Sequence, residues 1–214
     1  MKLHHTTAGN SWTLECEAAL FDLDGTLVDS HLCVERTWRA WAARHGLDGD
    51  AVIATAHGRQ NHDAINAIDP RLNTPEELAW MVEAEENCRE GITAIPGAKA
   101  ILQAIPAQRW AIVTSCWNDL ARMRIGIADL PEPATLYSAD DVPRSKPDPQ
   151  GYLMAAAALG YQPSECVVFE DAPAGIAAAK AAGTHVVAVT TFFDADTLNV
   201  GTSLADYQNL RLEL

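Results

Sequence analysis

The chain lacks any apolar run approaching the roughly 18 uninterrupted residues that a membrane span needs. Its first residues, Met1 to Ser11, are polar, carry two histidines and hold no apolar centre of a secretory leader. Positive charge is also scarce. Lys and Arg number 15 against 29 Asp and Glu, a net charge of −14, which excludes the basic patches that nucleic acid or an anionic membrane surface requires. The five cysteines, Cys16, Cys33, Cys88, Cys116 and Cys166, form no C-x-x-C pair, and an odd, scattered set is no disulfide framework. They fit a reducing cytoplasm, and the chain reads as a cytoplasmic monomer. No internal repeat or low-complexity tract is present. With 48% hydrophobic residues, the 214-residue chain can bury a core for one domain plus an insert. Residues 1–14 read as a disordered lead-in.

What is present is concentrated at strand ends. The apolar run Ala18-Ala19-Leu20-Phe21 leads into Asp22-Leu23-Asp24-Gly25-Thr26. Side chains two apart on a strand share a face, so Asp22 and Asp24 start on one face before Gly25 turns the chain. Two like charges that close need a cation or a proton. A plain Asp-Gly turn accounts for Asp24 and Gly25 but leaves Asp22 without a reason. Three further features follow in order: Trp110-Ala111-Ile112-Val113 ends in Thr114-Ser115, Lys146 opens Lys-Pro-Asp-Pro, and Cys166-Val167-Val168-Phe169 ends in Glu170-Asp171. Taken singly, Lys146 reads as a loop lysine, Thr114 as a turn residue and Glu170-Asp171 as a helix N-cap.

Between Ser30 and about residue 93 the pattern is helical, with no convincing strand. Val34, Trp38, Trp41 and His45 recur at helical spacing and Gly46 closes the turn. Short helices are expected over 50–56 and 61–68, broken at His57-Gly58, and another from Pro75 to about Arg89 behind the N-cap Thr74. From Ile95 onward helices alternate with apolar strands near 109–114, 135–138, 166–170 and 185–189. That alternation predicts an α/β fold, a Rossmann-like parallel sheet with helices on both faces. Ligands bind beyond the carboxyl ends of such strands, where Asp22, Thr114 and Glu170-Asp171 fall. The expected organisation is an α/β core from residues 15–30 and 94–214, with residues 31–93 inserted as a small helical cap on hinges near Asp29-Ser30 and Thr93-Pro96.

The ordered set of D-x-D-G-T, Thr-Ser, Lys-Pro and Glu-Asp resembles the haloacid dehalogenase-like superfamily, over roughly residues 16 to 190. Gly91-Ile92-Thr93-Ala94-Ile95-Pro96-Gly97-Ala98 and the stretch from Val167 to Ile176 are similar to its helical-cap sugar phosphatases, which act on hexose, hexitol and glycerol phosphates. The resemblance implies an enzyme, a phosphoric monoester hydrolase whose Asp22 becomes an aspartyl phosphate. It implies that Asp24 protonates the leaving oxygen, a role that calls for a protonated carboxyl, with Asp22 and Asp24 titrating as a coupled unit. Mg2+ is the implied cofactor, on Asp22, Asp24 through its carbonyl, and Asp171, with Glu170 a further ligand or an outer acceptor. Lys146, Thr114, Ser115 and the amide near Leu23 would hold the phosphate, and Arg59 would reach the substrate from the cap. The implied partner is a small phosphorylated sugar or polyol, not nucleic acid or membrane. The related β-phosphoglucomutases carry a hinge histidine near the position of Val34, whose absence here favours hydrolysis over mutase chemistry. A binding-only relative would not require Asp24. Cys116-Trp117, Ser145 and Gln150 depart from the family's usual residues without removing a catalytic group. Trp38 and Trp41 read as cap core, Cys116 as a buried spectator, and Glu35-Arg36 as a surface ion pair.

Overall fold

The computed structural model describes residues 1–56 and 59–214. Its centre is a six-stranded sheet of β3 (Ala18–Phe21), β6 (Trp110–Val113), β7 (Leu136–Tyr137), β8 (Cys166–Glu170), β9 (His185–Val189) and β10 (Ser203–Leu204). The strand order is β10-β9-β8-β3-β6-β7 and every neighbouring pair is parallel. Apolar residues run without interruption through β3, β6 and most of β8, because both faces of these strands are covered.

Alternate residues choose the face. Ala19, Phe21, Ile112, Val167 and Phe169 pack with Ile101 and Leu102 of α5 (Ala98–Ala104) and with Ala121 and Ile125 of α6 (Asn118–Ile127). Ala18, Leu20, Ala111, Val113 and Val168 pack with Tyr152 and Ala155 of α7 (Gln150–Leu159) and with Ala178 and Ala179 of α8 (Pro173–Ala182). The Ala-rich stretches therefore serve close helix-to-sheet approach on the second face. On the first, the rings of Phe21 and Phe169 stack with centroids 4.9 Å apart.

Helices α1 (His31–His45), α2 (Gly49–Ala56), α3 (Asn61–Ile68) and α4 (Pro75–Asn87) form a separate bundle with its own core, which includes Trp38, Trp41, Ile65 and Met81. Gly46 ends α1 in the left-handed conformation and the Thr74 side chain caps α4. The expected break at His57-Gly58 lies outside the described residues. The two connections to the sheet are not independent hinges. β4 (Val28–Asp29) pairs antiparallel with β5 (Thr93–Ala94), giving a short ribbon where no strand was expected near residue 93. A two-residue strand carries no periodicity, so the pattern could not reveal it.

The expected disordered lead-in is corrected. β1 (Lys2–Thr7) and β2 (Asn10–Glu15) form a hairpin across Ala8-Gly9, and β1 pairs on its other side with β11 (Leu210–Glu213) at the C-terminal end. Leu3 is fully buried, and Trp12 Nε1 donates to the Ser203 carbonyl at 2.9 Å. The terminal amine of Met1 donates to the Cys16 carbonyl at 2.7 Å. Polar composition concealed this hairpin because its inward residues are few and its partner strand is some two hundred residues away. No helix among the described residues is long and apolar enough to cross a membrane.

If the hairpin is an integral layer of the fold, Leu3→Ala removes a buried side chain that the first face of the sheet depends on. It should lower the unfolding free energy by about 2–4 kcal/mol, measured by urea denaturation. An unchanged midpoint would return residues 1–14 to a loose lead-in.

Candidate active site

The site begins where β3, β6 and β8 end side by side. Phe21 is in register with Ile112 and with Phe169, so the residues that follow each strand emerge at one edge. The Asp22 amide still donates to the Phe169 carbonyl at 3.1 Å, which extends the ladder by one residue and fixes the first carboxylate. The chain then turns tightly, with the amides of Leu27 and Val28 donating to the Leu23 carbonyl at 2.8 and 2.9 Å. Gly25 makes this turn with φ at +80°, and a Cβ there would stand 2.1 Å from Asp171 Oδ2. Glycine is needed at this position both for the dihedral and for the space.

Behind the strand ends lies a buried charge cluster. Lys146 Nζ donates to Asp22 Oδ1 at 2.6 Å and to Glu170 Oε1 at 2.5 Å. Tyr152 Oη donates to the same Glu170 oxygen at 2.8 Å, and the Ala172 amide donates to Oε2 at 3.1 Å. Glu170 is fully buried and reaches this position only because α8 carries Gly175, whose Cβ would collide with it. Thr26 Oγ1 donates to Asp171 Oδ1 at 3.2 Å. Carboxylate oxygens of Asp22, Glu170 and Asp171 lie within 4.8 Å of one another.

Burial pushes the Asp22 carboxyl well above the usual range against the attraction of Lys146, with Glu170 and Asp171 pushing the same way. For Lys146 burial acts downward, but Asp22 and Glu170 outweigh it and hold the ammonium well above its ordinary value. The two directions agree physically. Asp22 and Glu170 share the Lys146 ammonium, and Asp171 stands beside them, so three buried carboxylates gather where a divalent cation could bind.

Asp24 faces a different cation: its Oδ2 lies 2.7 Å from Arg124 Nη1, and its Oδ1 accepts from Ser30 Oγ at 2.5 Å. Arg124 was absent from the sequence reading. It is 2% exposed, on the face of α6 that also buries Leu120, Ala121 and Ile125. Burial disfavours its charge, yet Asp24, Cys116 and Glu85 raise its pKa above the usual arginine value. The one available signal was a charged residue at a core position of a helical repeat. Glu85, which shares the buried face of α4 with Met81, carries the same signal.

A cavity of about 180 Å³ opens between the strand ends and the helical bundle. Asp22, Asp24, Ser115 and Asp171 line it from the sheet side, and Arg59 lines it from the bundle side. Thr114 and Lys146 border an adjoining recess that Ser115 shares. The Thr114 hydroxyl donates to Cys116 Sγ at 3.3 Å and accepts from the Cys116 amide at 3.2 Å. Leu23 is fully buried, so only its backbone can serve a ligand. Cys116 and Trp117 line the cavity as well, and so does Trp38, which packs edge-on against Trp41 in the bundle core. Cys116, expected to be buried, is only half-buried in the cavity wall, and its thiol is pushed well above its ordinary value by desolvation and by Asp24. His62 is exposed beside Asp63, and His57 and Gly58 lie outside the described residues. Glu35 pairs with Arg39 instead of Arg36, which reaches Glu90.

A family model for haloacid dehalogenase-like hydrolases matches residues 16–183. Hexitol phosphatase A of Escherichia coli is 45% identical over 194 residues, spanning 87% of this chain and 88% of that protein. Glycerol-1-phosphate phosphohydrolase 1 of Saccharomyces cerevisiae is 37% identical over 199 residues, spanning 87% and 79%. A solved hydrolase from Pseudomonas syringae superposes with a TM-score of 0.78 at 26% identity, covering 91% of this chain and 96% of that one. The chain belongs to the haloacid dehalogenase-like hydrolases, and among them to the phosphatases, enzymes that hydrolyse phosphoric monoesters.

Proposed function

We propose that this protein is a Mg2+-dependent phosphatase that hydrolyses small sugar or polyol phosphates through an aspartyl phosphate on Asp22. The observation that carries the reading is the buried cluster of Asp22, Glu170 and Asp171 around the single Lys146, at the mouth of a cavity. The substrate class rests on relatives whose names are hexitol phosphatase and glycerol-1-phosphate phosphohydrolase.

A hard divalent cation fits this donor set, which is all oxygen and carries surplus negative charge in dry surroundings. Gly25 keeps the space beside Asp171 open, since any side chain there would fill it. Asp22, Asp171 and the Asp24 carbonyl would hold Mg2+, which supplies charge neutralisation for the phosphoryl oxygens. Of the two roles open to Glu170, its hydrogen bonds favour the outer one. Its oxygens already accept from Lys146, Tyr152 and the Ala172 amide, so it orients Lys146.

Lys146 holds Asp22 through Oδ1, which leaves the other carboxylate oxygen to attack phosphorus. The bond from phosphorus to the sugar oxygen breaks as Asp24 delivers a proton to that oxygen. Water then attacks the aspartyl phosphate, Asp24 takes a proton from it, and inorganic phosphate leaves with the Asp22 carboxylate restored. Lys146, Ser115, the Thr114 hydroxyl and backbone amides near Leu23 stabilise the equatorial oxygens. Residues 31–93 act as the cap over a core of 15–30 and 94–214, with Arg59 placed to meet the substrate from the cap side. Val34 lines the cavity and has no group to move a proton, which supports hydrolysis over phosphomutase chemistry.

Phosphate release from a panel of sugar, polyol and nucleoside monophosphates tests the mechanism. Turnover should require Mg2+ and cease with EDTA, and Asp22→Asn should lower kcat by at least about 10³-fold with an unchanged melting temperature. Substantial turnover in that variant would remove the covalent route. Gly25→Ala tests the cation site separately. Its methyl group should crowd Asp171 and weaken Mg2+ binding by about 10- to 100-fold in calorimetry, and unchanged affinity would place the cation elsewhere.

A further inference from the structure

We propose that Arg124 and Glu85 form a recognition subsite for an uncharged, hydroxyl-bearing leaving group, an inference that rests on the phosphatase reading above. Arg124 is spent on only part of its donor set. Its Nη1 meets Asp24, but among the described residues Nε and Nη2 have no hydrogen-bond partner although both are buried. A guanidinium carries five N–H donors, and a buried donor left unpaired carries the full desolvation penalty of that group. Arg124 lines the same cavity as Asp24, and with both nitrogens buried a small shift of the guanidinium on binding would bring them to acceptors of the bound molecule.

Glu85 lines this cavity too, from α4, which packs against α6. It is 6% exposed, and its Oε2 accepts from Asn61 Nδ2 at 2.9 Å. The bundle thus contributes a buried acceptor and the sheet layer a buried donor to one cavity. A hydroxyl group satisfies both, because it accepts from a guanidinium and donates to a carboxylate. A carboxylate or a second phosphate can only accept. It would also bring negative charge beside Glu85, Asp24 and Asp171, where Arg124 is already matched by Asp24. An alkyl group would leave Nε and Nη2 of Arg124 without an acceptor and bring Glu85 no further donor. The apolar wall of Trp38, Trp117 and Ile95 suits the C–H faces of a carbon chain that bears its hydroxyls toward that pair.

Two matched sets of substrates test this. One is sorbitol 6-phosphate, hexyl phosphate and 6-phosphogluconate; the other is glycerol 1-phosphate, propyl phosphate and 3-phosphoglycerate. In at least one set the wild-type protein should favour the polyol phosphate in kcat/KM by at least about tenfold over both analogues. Arg124→Met should lower kcat/KM for the polyol phosphate at least about tenfold more than for the alkyl phosphate. Because Arg124 also holds Asp24, both substrates can lose kcat, and the ratio between them isolates recognition. Glu85→Gln keeps the hydrogen-bonding shape without the charge and should narrow the discrimination against the carboxylated analogue. It also carries the comparison if Arg124→Met fails to fold. Turnover of the polyol and alkyl phosphates within about threefold in both sets overturns the subsite and leaves the phosphatase standing. So does an equal loss on both substrates in each folded variant. No phosphate release from any substrate, the earlier panel included, removes the phosphatase reading and the subsite with it.

Discussion

The ammonium of Lys146, buried between Asp22 and Glu170, is the constraint on which the rest of this structure depends. A lysine this deep is tolerated only when paired, and breaking such a pair typically costs 3–5 kcal/mol because it strands a charge. Its partners come from two adjacent strands, β3 and β8, while Tyr152 from α7 and the Ala172 amide before α8 bind the second partner. One charged contact therefore ties the central sheet to both helices of its second face. The small residues nearby follow from it. Gly175 gives Glu170 room against α8, and the tight turn at Gly25 brings the first motif against Asp171 without contact from a side chain.

The same cluster explains why the sheet is legible and its margins are not. Strands β3, β6 and β8 are short apolar runs bounded by polar residues, and each runs into a residue of the cavity wall, Asp22, Ser115 or Asp171. Pattern and function therefore reinforce each other there. The ends of α8 and β8 fall where Pro173, Gly183 and Glu170 predict them. The short strand expected at 135–138 is found as β7, whereas β4, β5 and β10, also two residues long, were not expected, and the hairpin of β1 and β2 owes its order to β11 across the whole chain. Local sequence holds no trace of such pairings. The polar residues of the cavity divide in the same way. Asp22, Lys146 and Asp171 stand in a recognisable order, whereas Arg124 and Glu85 are visible only as charges placed where a helical repeat expects carbon.

Departures from the family's usual residues acquire partners in the fold. Ser145, just ahead of the buried lysine, donates from its hydroxyl to Asp63 on α3, a contact between the sheet layer and the helical bundle. Asn61 of the same helix holds Glu85 against the cavity, and Arg59 approaches from just before it. Residues 59–63 therefore place one polar contact, Asp63 with Ser145, across the seam, and set Arg59 and Asn61 in the cavity wall beside it. The β4–β5 ribbon joins the two layers at one edge of that seam, and the polar contact of α3 acts away from it. A seam held at one edge by paired backbone and elsewhere by an exchangeable side-chain bond is suited to opening for substrate and closing for chemistry.

The two aspartates of the first motif show how one turn can hold two chemistries. Their spacing suggests a shared charge, and in a strand that continued past Phe21 they would repel each other. The turn at Gly25 removes that conflict by directing each carboxylate to a different cation, Asp22 to Lys146 and Asp24 to Arg124. The environments then diverge. Asp22 lies among acids that push its carboxyl upward, so the nucleophile of the proposed mechanism depends on Lys146 and a divalent ion to be held ionised. Asp24, 22% exposed at its side chain, is held by one arginine and the Ser30 hydroxyl at the border of the cavity, the side from which the proposed mechanism brings the leaving group and water. Placing the arginine beside the second aspartate also joins proton transfer to recognition. The guanidinium that fixes Asp24 is the one with donors to spare, so a leaving group that satisfies them is brought to the carboxyl that protonates it in the proposed mechanism.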